Sequence, residues 1–226
     1  MSDFAKKDSA IKFGAGRYRQ EQGLLEKLGE EIARFGTRLL IIAGNHSWAA
    51  VEARLVPSLE AANIVWDLVI WEEACSELAA RKLAERAHSF HADEVVGIGG
   101  GKNMDLAKAT GEVAGLGVIT IPTSIAQCAP FACTSVMYTP EGKKDVTWRY
   151  EHEIDGCYMD LDVIAGCPSR YLAAGVLDAM AKKIEILNGR PSLLLEKTDI
   201  DLYYAYKFAC DTYAVLEDRA QEAMDA

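Results

Sequence analysis

Apolar residues along the chain fall into two alternating patterns. Leu24, Leu25, Leu28, Ile32 and Phe35 recur at helical spacing and predict a helix over residues 20–35, with Gly36 as its stop signal. The next stretch, RLLIIAG over residues 38–44, is a short continuous apolar run, the pattern of a strand buried on both faces. A helix is predicted over 47–62 with a kink or break at Pro57, then a strand over 64–71. A helix over 76–89 follows, with Ser76 as its N-cap, and then a strand over 94–98. That strand runs into four residues, Gly99-Gly100-Gly101-Lys102, before a helix over 103–114 and a strand over 117–121 that ends at Pro122. Strand and helix in strict alternation predict an α/β fold, a parallel sheet with helices on both faces.

The pattern changes after residue 123. Residues 135–139 and 146–150 read as a strand pair around Pro140-Glu141-Gly142, and 156–160 as one more apolar strand. From Pro168 onward the reading is helical. Ser169 caps a helix over 170–187 that Asn188-Gly189-Arg190-Pro191 closes, and a second long helix covers 199–223. These shifts divide the chain into an α/β domain, 1–165, and a helical segment, 166–226. Leu202, Tyr206, Ala209, Cys210, Tyr213 and Leu216 form one face of the last helix, which must pack on the helix over 170–187, pack on another chain or stay partly exposed; a homo-oligomer is expected.

Composition narrows the function classes. Half of the 226 residues are hydrophobic, which excludes a disordered chain, and the net charge of −10 argues against a nucleic-acid or polybasic membrane surface. No apolar run is long enough for a membrane span, and Met1-Ser2-Asp3-Phe4-Ala5-Lys6-Lys7 carries no readable secretory signal. None of the six cysteines forms a C-x-x-C pair, so reduced thiols in the cytoplasm are expected. His88 and His91 read as a solvated connector between a helix and a strand.

The chemistry concentrates in VVGIGGGKNMDLAKA, residues 95–109. A strand ending in glycines lets a ligand approach the backbone, and the helix start after it presents free N–H groups and a positive dipole end. Lys102 adds a cation. This is a phosphate cradle of neither familiar kind: a Walker A loop needs Gly at Val96 and Ser or Thr at Asn103, and the G-x-G-x-x-G fingerprint needs Gly at Lys102. Asp105 in the following turn either complements the helix dipole or contacts a nicotinamide or substrate group.

GGGKNMDLAKA resembles the GGGK-x-x-D-x-AK segment of iron-containing alcohol dehydrogenases, in the glycerol dehydrogenase and hydroxycarboxylate dehydrogenase branch. Gly16-Arg17-Tyr18, Ile121-Pro122-Thr123, Ser135-Val136-Met137-Tyr138, and the stretch from Met159-Asp160 through Pro168, Ala174-Gly175, Asp178, Ala181-Lys182 and Glu185 stand in the matching order. The resemblance implies a dehydroquinate-synthase-like fold, with a Rossmann-like domain binding NAD or NADP and a helical domain holding a divalent metal, zinc or iron. It implies hydride transfer between the cofactor and a polyol, an alcohol or a 2-hydroxy acid, the reverse reaction starting from a carbonyl compound such as a 2-oxo acid. Carried over by residue, Gly99, Gly100, Gly101, Lys102 and Asp105 hold the pyrophosphate and nearby groups. Thr123, Ser124, Thr134 and Tyr138 line the rest of the cofactor cleft, and Asp178 is the first metal ligand.

Three departures shape the expectations. Gly44 stands where NAD-preferring members carry an acid, so tolerance of NADPH is expected. Cys128 stands where glycerol dehydrogenases carry a substrate-side Asp, and a thiol repels an anionic 2-oxo acid less than a carboxylate does. Ala126-Gln127-Cys128-Ala129 is similar to the hydroxycarboxylate branch; a buried packing cysteine is the alternative. The family's histidine ligands have no counterpart before Ala226, so the helical domain reads as incomplete and whether the chain acts as an enzyme stays open. For Asp178, a surface pair with Lys182 is the alternative to a metal ligand. A catalytically incomplete nucleotide-binding fragment or oligomerisation partner is the second reading, and an enzyme like glycerol-1-phosphate dehydrogenase the third.

Overall fold

The computed structural model describes residues 14–139, 141–189 and 200–225. Six strands make one sheet: β1 (Arg17–Glu21), β2 (Arg38–Ala43), β3 (Val65–Ile70), β4 (Glu94–Gly99), β5 (Gly117–Pro122) and β8 (Gly156–Asp160). Their spatial order is β1-β8-β5-β4-β2-β3 and every pairing is parallel. An antiparallel hairpin, β6 (Thr134–Tyr138) and β7 (Lys144–Arg149), forms a second small sheet. The helices are α1 (Leu28–Ile32), α2 (Asn45–Ala61), α3 (Glu77–Phe90), α4 (Gly101–Ala114), α5 (Leu161–Ala165), α6 (Ser169–Gly189) and α7 (Ile200–Asp225).

The apolar runs are continuous because both sheet faces are covered. In β2, Leu40 and Ile42 join one core layer while Leu39, Ile41 and Ala43 join the other. The first layer includes Leu83 and Ala87 of α3, Leu106 of α4 and Trp148 of the hairpin. The second includes Leu28 and Ile32 of α1, Leu55 and Leu59 of α2, and Val163 of α5. The α/β class expected from the alternation is therefore the observed one. The cap expected at Ser76 is also present, its Oγ accepting from the Ala79 N–H at 3.2 Å.

Two local expectations are corrected. Residues 20–35 are not one helix: β1 occupies the start, Gly23 turns with φ +64°, and a 3₁₀ turn at Leu25–Lys27 leads into the five-residue α1. Burial of Leu24, Leu25, Leu28 and Ile32 gives the helical spacing, but pairing with β8 and the bond from the Leu25 N–H to the buried Asp160 carboxylate at 2.9 Å select the broken path. Pro57 does not end α2, which continues to Ala61. Pro57 and Ala53 are both exposed, so the Ala53 carbonyl that loses its helical partner faces water. Arg190, Pro191 and Asp199, expected to close one long helix and open the next, lie outside the described residues, as do Pro140 of the hairpin turn and the first seven residues.

The backbone divides into two compact units. One runs to Ser124 and resumes over Ala129–Gly166; the other takes Ile125–Cys128 and the chain from Cys167 onward. In the second unit α6 and α7 form a helical pair, with the Lys183 ammonium 4.1 Å from the Tyr213 ring centroid. Leu177, Ile184, Phe208 and Val215 remain exposed there. Among the described residues no helix is long and apolar enough to cross a membrane.

A buried ion pair joins α4 to the hairpin. Lys108, 2 % exposed, reaches the Asp105 carboxylate at 3.1 Å and donates to the carbonyls of Ala129 at 2.8 Å, Ala132 at 3.0 Å and Thr134. Asp105 in turn accepts the Val136 N–H at 3.1 Å, and its own carbonyl accepts the Ser135 hydroxyl at 2.8 Å. Burial raises the Asp105 carboxyl above its ordinary value, while Lys108 and the Val136 N–H pull it back.

A second buried acid sits at the opposite end of the sheet. Glu94 bonds to Asp155, whose Oδ2 accepts the Val118 N–H at 3.0 Å. Both carboxylates converge over Gly117, where an added Cβ would lie 2.1 Å from Asp155 Oδ2 and 2.6 Å from Glu94 Oε2. Among the described residues Glu94 Oε1 has no hydrogen-bond partner. Burial first, then the Asp155 and Asp93 charges, push the Glu94 carboxyl from 4.5 up to about 9.

Two outcomes follow from these centres. Lys108→Met strands a buried carboxylate and three carbonyls, and urea unfolding should show a loss of about 3–5 kcal/mol, with Asp105→Asn/Lys108→Met recovering part of it; a loss no larger than that of a surface Lys→Met control would sink this account. For Glu94, the folded chain keeps a proton that the unfolded chain releases above pH 4.5, so stability falls as pH rises from there towards about 9. Glu94→Gln should flatten the melting-temperature profile over that window and be the more stable form at pH 8, whereas parallel profiles would refute the assignment.

Candidate functional site

The first unit's candidate site lies at the carboxyl ends of β2, β3, β4 and β5, where helices begin and ligands of open α/β sheets bind. β4 ends at Gly99 with φ +143°, a conformation that side chains other than glycine rarely adopt. Gly100 is the N-cap of α4, and no side chain caps the helix. A Cβ added at Gly100 would meet only Ser124 Oγ, at 3.8 Å, so the surface above this turn is open. A fourteen-residue helix with a bare glycine start and a cation at its second residue has the free N–H groups and positive dipole end that suit an anion.

Neighbouring chains hold the cradle in place. The Thr123 N–H donates to the Gly99 carbonyl at 3.0 Å, and the Thr123 hydroxyl to Ser47 Oγ at 3.2 Å. Buried Asn103 donates from Nδ2 to the Trp71 carbonyl at 3.2 Å, tying the first turn of α4 to the end of β3. The Lys102 ammonium donates to the Glu72 carbonyl and lies 3.8 Å from Glu72 Oε2. Glu72 Oε1 accepts the Asn45 N–H at 2.6 Å, so its carboxylate covers the start of α2, whose N-cap Gly44 offers no side-chain cap.

The structure brings Gly99, Gly100, Gly101, Lys102, Thr123 and Ser124 together around one turn. Asp105 and Thr134 meet instead at the Lys108 ammonium. Asp105 is 8 % exposed, so its carboxylate serves the internal link to the hairpin. Tyr138 lies at the other end of β6, half-exposed, its N–H bonded to the Cys75 carbonyl at 2.7 Å. Burial pushes the Cys75 thiol up to about 12, which suits packing rather than nucleophilic chemistry. Sequence reading assigned no role to Glu72, Asn103 or Lys108. Lys108 alone carried a signal, as the lysine of the AK pair that closes the glycine-turn motif.

In the second unit, Cys128 and Asp178 line one cavity of about 510 Å³. Cys128 is exposed rather than buried. Ile125, Ile186 and Phe208 supply apolar walls, and Gly175 lets α6 approach the loop: a Cβ there would fall 1.9 Å from the Ile125 carbonyl oxygen. Asp178 pairs with Lys182 at 3.1 Å, and Lys182 also reaches Glu185 at 3.0 Å. Among the described residues no three His, Cys, Asp or Glu side chains group as metal ligands. One carboxylate held by a lysine does not make a metal centre, since such sites take three or more protein ligands.

Comparison with known proteins matches this architecture. The family model for iron-containing alcohol dehydrogenase matches residues 15–154. Glycolaldehyde reductase of Halobacterium salinarum is 30% identical over 168 residues, covering 74% of this chain and 46% of that protein. Glycerol dehydrogenase of Pseudomonas putida is 32% identical over 178 residues, covering 79% of this chain and 48% of that protein. The crystal structure of a probable glycerol dehydrogenase from Sinorhizobium meliloti 1021 superposes with a TM-score of 0.82 at 25% identity, over 96% of this chain and 60% of that one. The chain thus spans about half the length of the relatives it matches. With the glycine cradle, the parallel sheet and the family match all falling on the same residues, this chain belongs to the iron-containing alcohol dehydrogenase family.

Proposed function

We propose that the first unit binds NAD or NADP, with the diphosphate on the bare start of α4, and that the chain serves hydride transfer to or from a small alcohol, polyol or 2-hydroxy acid. The observation that carries this is the open glycine N-terminus: Gly100 has free space above it, no side chain caps α4, and Lys102 stands beside the turn. Membership of the family and the names of the relatives, a glycolaldehyde reductase and a glycerol dehydrogenase, support a small hydroxylated substrate.

In this reading the Gly100, Gly101 and Lys102 N–H groups and the Lys102 ammonium hold the diphosphate. Thr123 and Ser124 border it, and Thr134 and Tyr138 line the hairpin side of the cleft. The bound nicotinamide supplies the hydride acceptor or donor. Cys128 and Asp178 face a shared cavity that offers a thiol and a carboxylate to a substrate. The described residues do not complete a metal centre; Asp178 is proposed as one oxygen donor of the divalent metal that the family uses. The exposed Leu177, Ile184, Phe208 and Val215 support self-association of the chain as a homo-oligomer.

Gly100→Val tests the cradle. Its backbone is extended, with φ −93° and ψ −172°, and an added Cβ meets no protein atom closer than 3.8 Å, so the variant should fold like the parent. The added methyl groups fill the space assigned to the diphosphate, and NADH affinity measured by nicotinamide fluorescence should fall by about tenfold or more. Unchanged affinity in a variant with a parental melting curve would refute the diphosphate assignment.

A further inference from the structure

We propose that Glu72 reads the adenosine ribose of the bound dinucleotide and makes the site selective for NAD over NADP. This rests on the nucleotide reading of the glycine turn, and it reverses the NADPH tolerance expected from Gly44. That expectation held that the carboxylate was lost with the acid after β2. The structure returns a carboxylate from the loop after the neighbouring strand β3.

The parallel register places Ala43 beside Ile70, so the chains leave β2 and β3 side by side. One or two residues later, Glu72 turns its Oε1 onto the Asn45 N–H at 2.6 Å. A Cβ built on Gly44 would lie 3.6 Å from that same oxygen. The Glu72 carboxylate therefore borders the position from which a side chain at residue 44 would project. The same Gly44 Cβ would lie 3.3 Å from Asn103 Oδ1, and a Cβ on Gly99 would lie 3.1 Å from it. Gly44 and Gly99 thus share Asn103 as a common neighbour, which sets the Glu72 carboxylate next to the diphosphate cradle. The adenosine ribose is joined directly to that diphosphate.

The chemistry then discriminates. A carboxylate only accepts hydrogen bonds, and the ribose 2′- and 3′-hydroxyls are donors. One lone pair of Oε1 is engaged by Asn45; the remaining acceptor positions stay open on a side chain that is 62% exposed. A 2′-phosphate brings negative charge to the same place. The α2 helix start, which would otherwise attract it, already carries the Glu72 carboxylate. Lys102, 3.8 Å from Glu72 Oε2, is the cation assigned to the diphosphate.

The test is a pair of fluorescence titrations, NADH and NADPH, on the 226-residue chain and on Glu72→Gln, with Glu72→Ser as a second variant and Gly100→Val as the site control. The parent should bind NADH at least about tenfold tighter than NADPH, with Glu72→Gln bringing the two within about threefold, chiefly by tightening NADPH. Equal affinities in the parent, or a preference untouched in both Glu72 variants, would overturn the role of Glu72 while leaving the nucleotide site standing. Binding of neither nucleotide, or binding that Gly100→Val does not weaken, would overturn the nucleotide reading and this proposal with it. Circular-dichroism melting of each variant confirms that the exposed substitution has not unfolded the chain.

Discussion

A single buried ammonium holds together the parts of the first unit that no apolar pattern could align. Lys108 satisfies three carbonyls of the segment between Ala129 and Thr134 while neutralising Asp105. A buried lysine is costly unless each of its protons finds an acceptor, and these acceptors exist only when the loop takes one path. α4 thereby dictates where the chain re-enters the first unit after Cys128 and where the hairpin begins. The same helix presents the glycine cradle at its other end. One fourteen-residue element links the glycine turn to the hairpin through a largely buried ion pair.

The sheet is chemically polar from end to end. Its carboxyl edge gathers glycines, a lysine and bare helix starts, which suit an anion. Its amino edge buries Glu94 against Asp155, which keeps a proton in place and binds the β4 and β5 starts to the 154–156 turn. Parallel strands make this asymmetry inevitable, because every helix start falls at the same edge. Carboxylates also stand at the carboxyl edge: Asp160 caps α5 at the end of β8, and Glu72 covers the start of α2, where its position gives it a reading in cofactor choice.

The elements that were legible share one property: their burial pattern is local. β2, β4 and β5 read as strands because both faces are covered, so every position is apolar. α3 read correctly down to its Ser76 cap because capping is settled within four residues. β1 was not legible. RYRQE carries no apolar alternation, since an edge strand is held by its backbone bonds to β8, and those depend on a partner about 140 residues away. α5 was missed for the same reason: its Asp160 cap also serves Leu25 and is recognisable only once both are in place.

At the candidate site the division is similar. The glycine turn and its lysine were readable because a strand, a turn and a helix start are contiguous in the chain, and their chemistry is that of the backbone itself. Asp105 was readable as an acid but not as the partner of Lys108, because the cost that pairs them is desolvation, which arises only when the hairpin closes over α4. Asp178 and Lys182 were readable as a helical pair at i and i+4, and the structure shows that pair. Glu72 carried no signal for the ribose role proposed for it, since nothing local distinguishes it from Glu73. By itself the sequence determined the fold class, the glycine turn at the head of α4 and the family, because these rest on periodicity and contiguous motifs. Only the tertiary structure decided which charges are buried, which are paired, and which carboxylate stands beside Gly44, because electrostatic roles depend on neighbours that folding alone brings within a few ångströms.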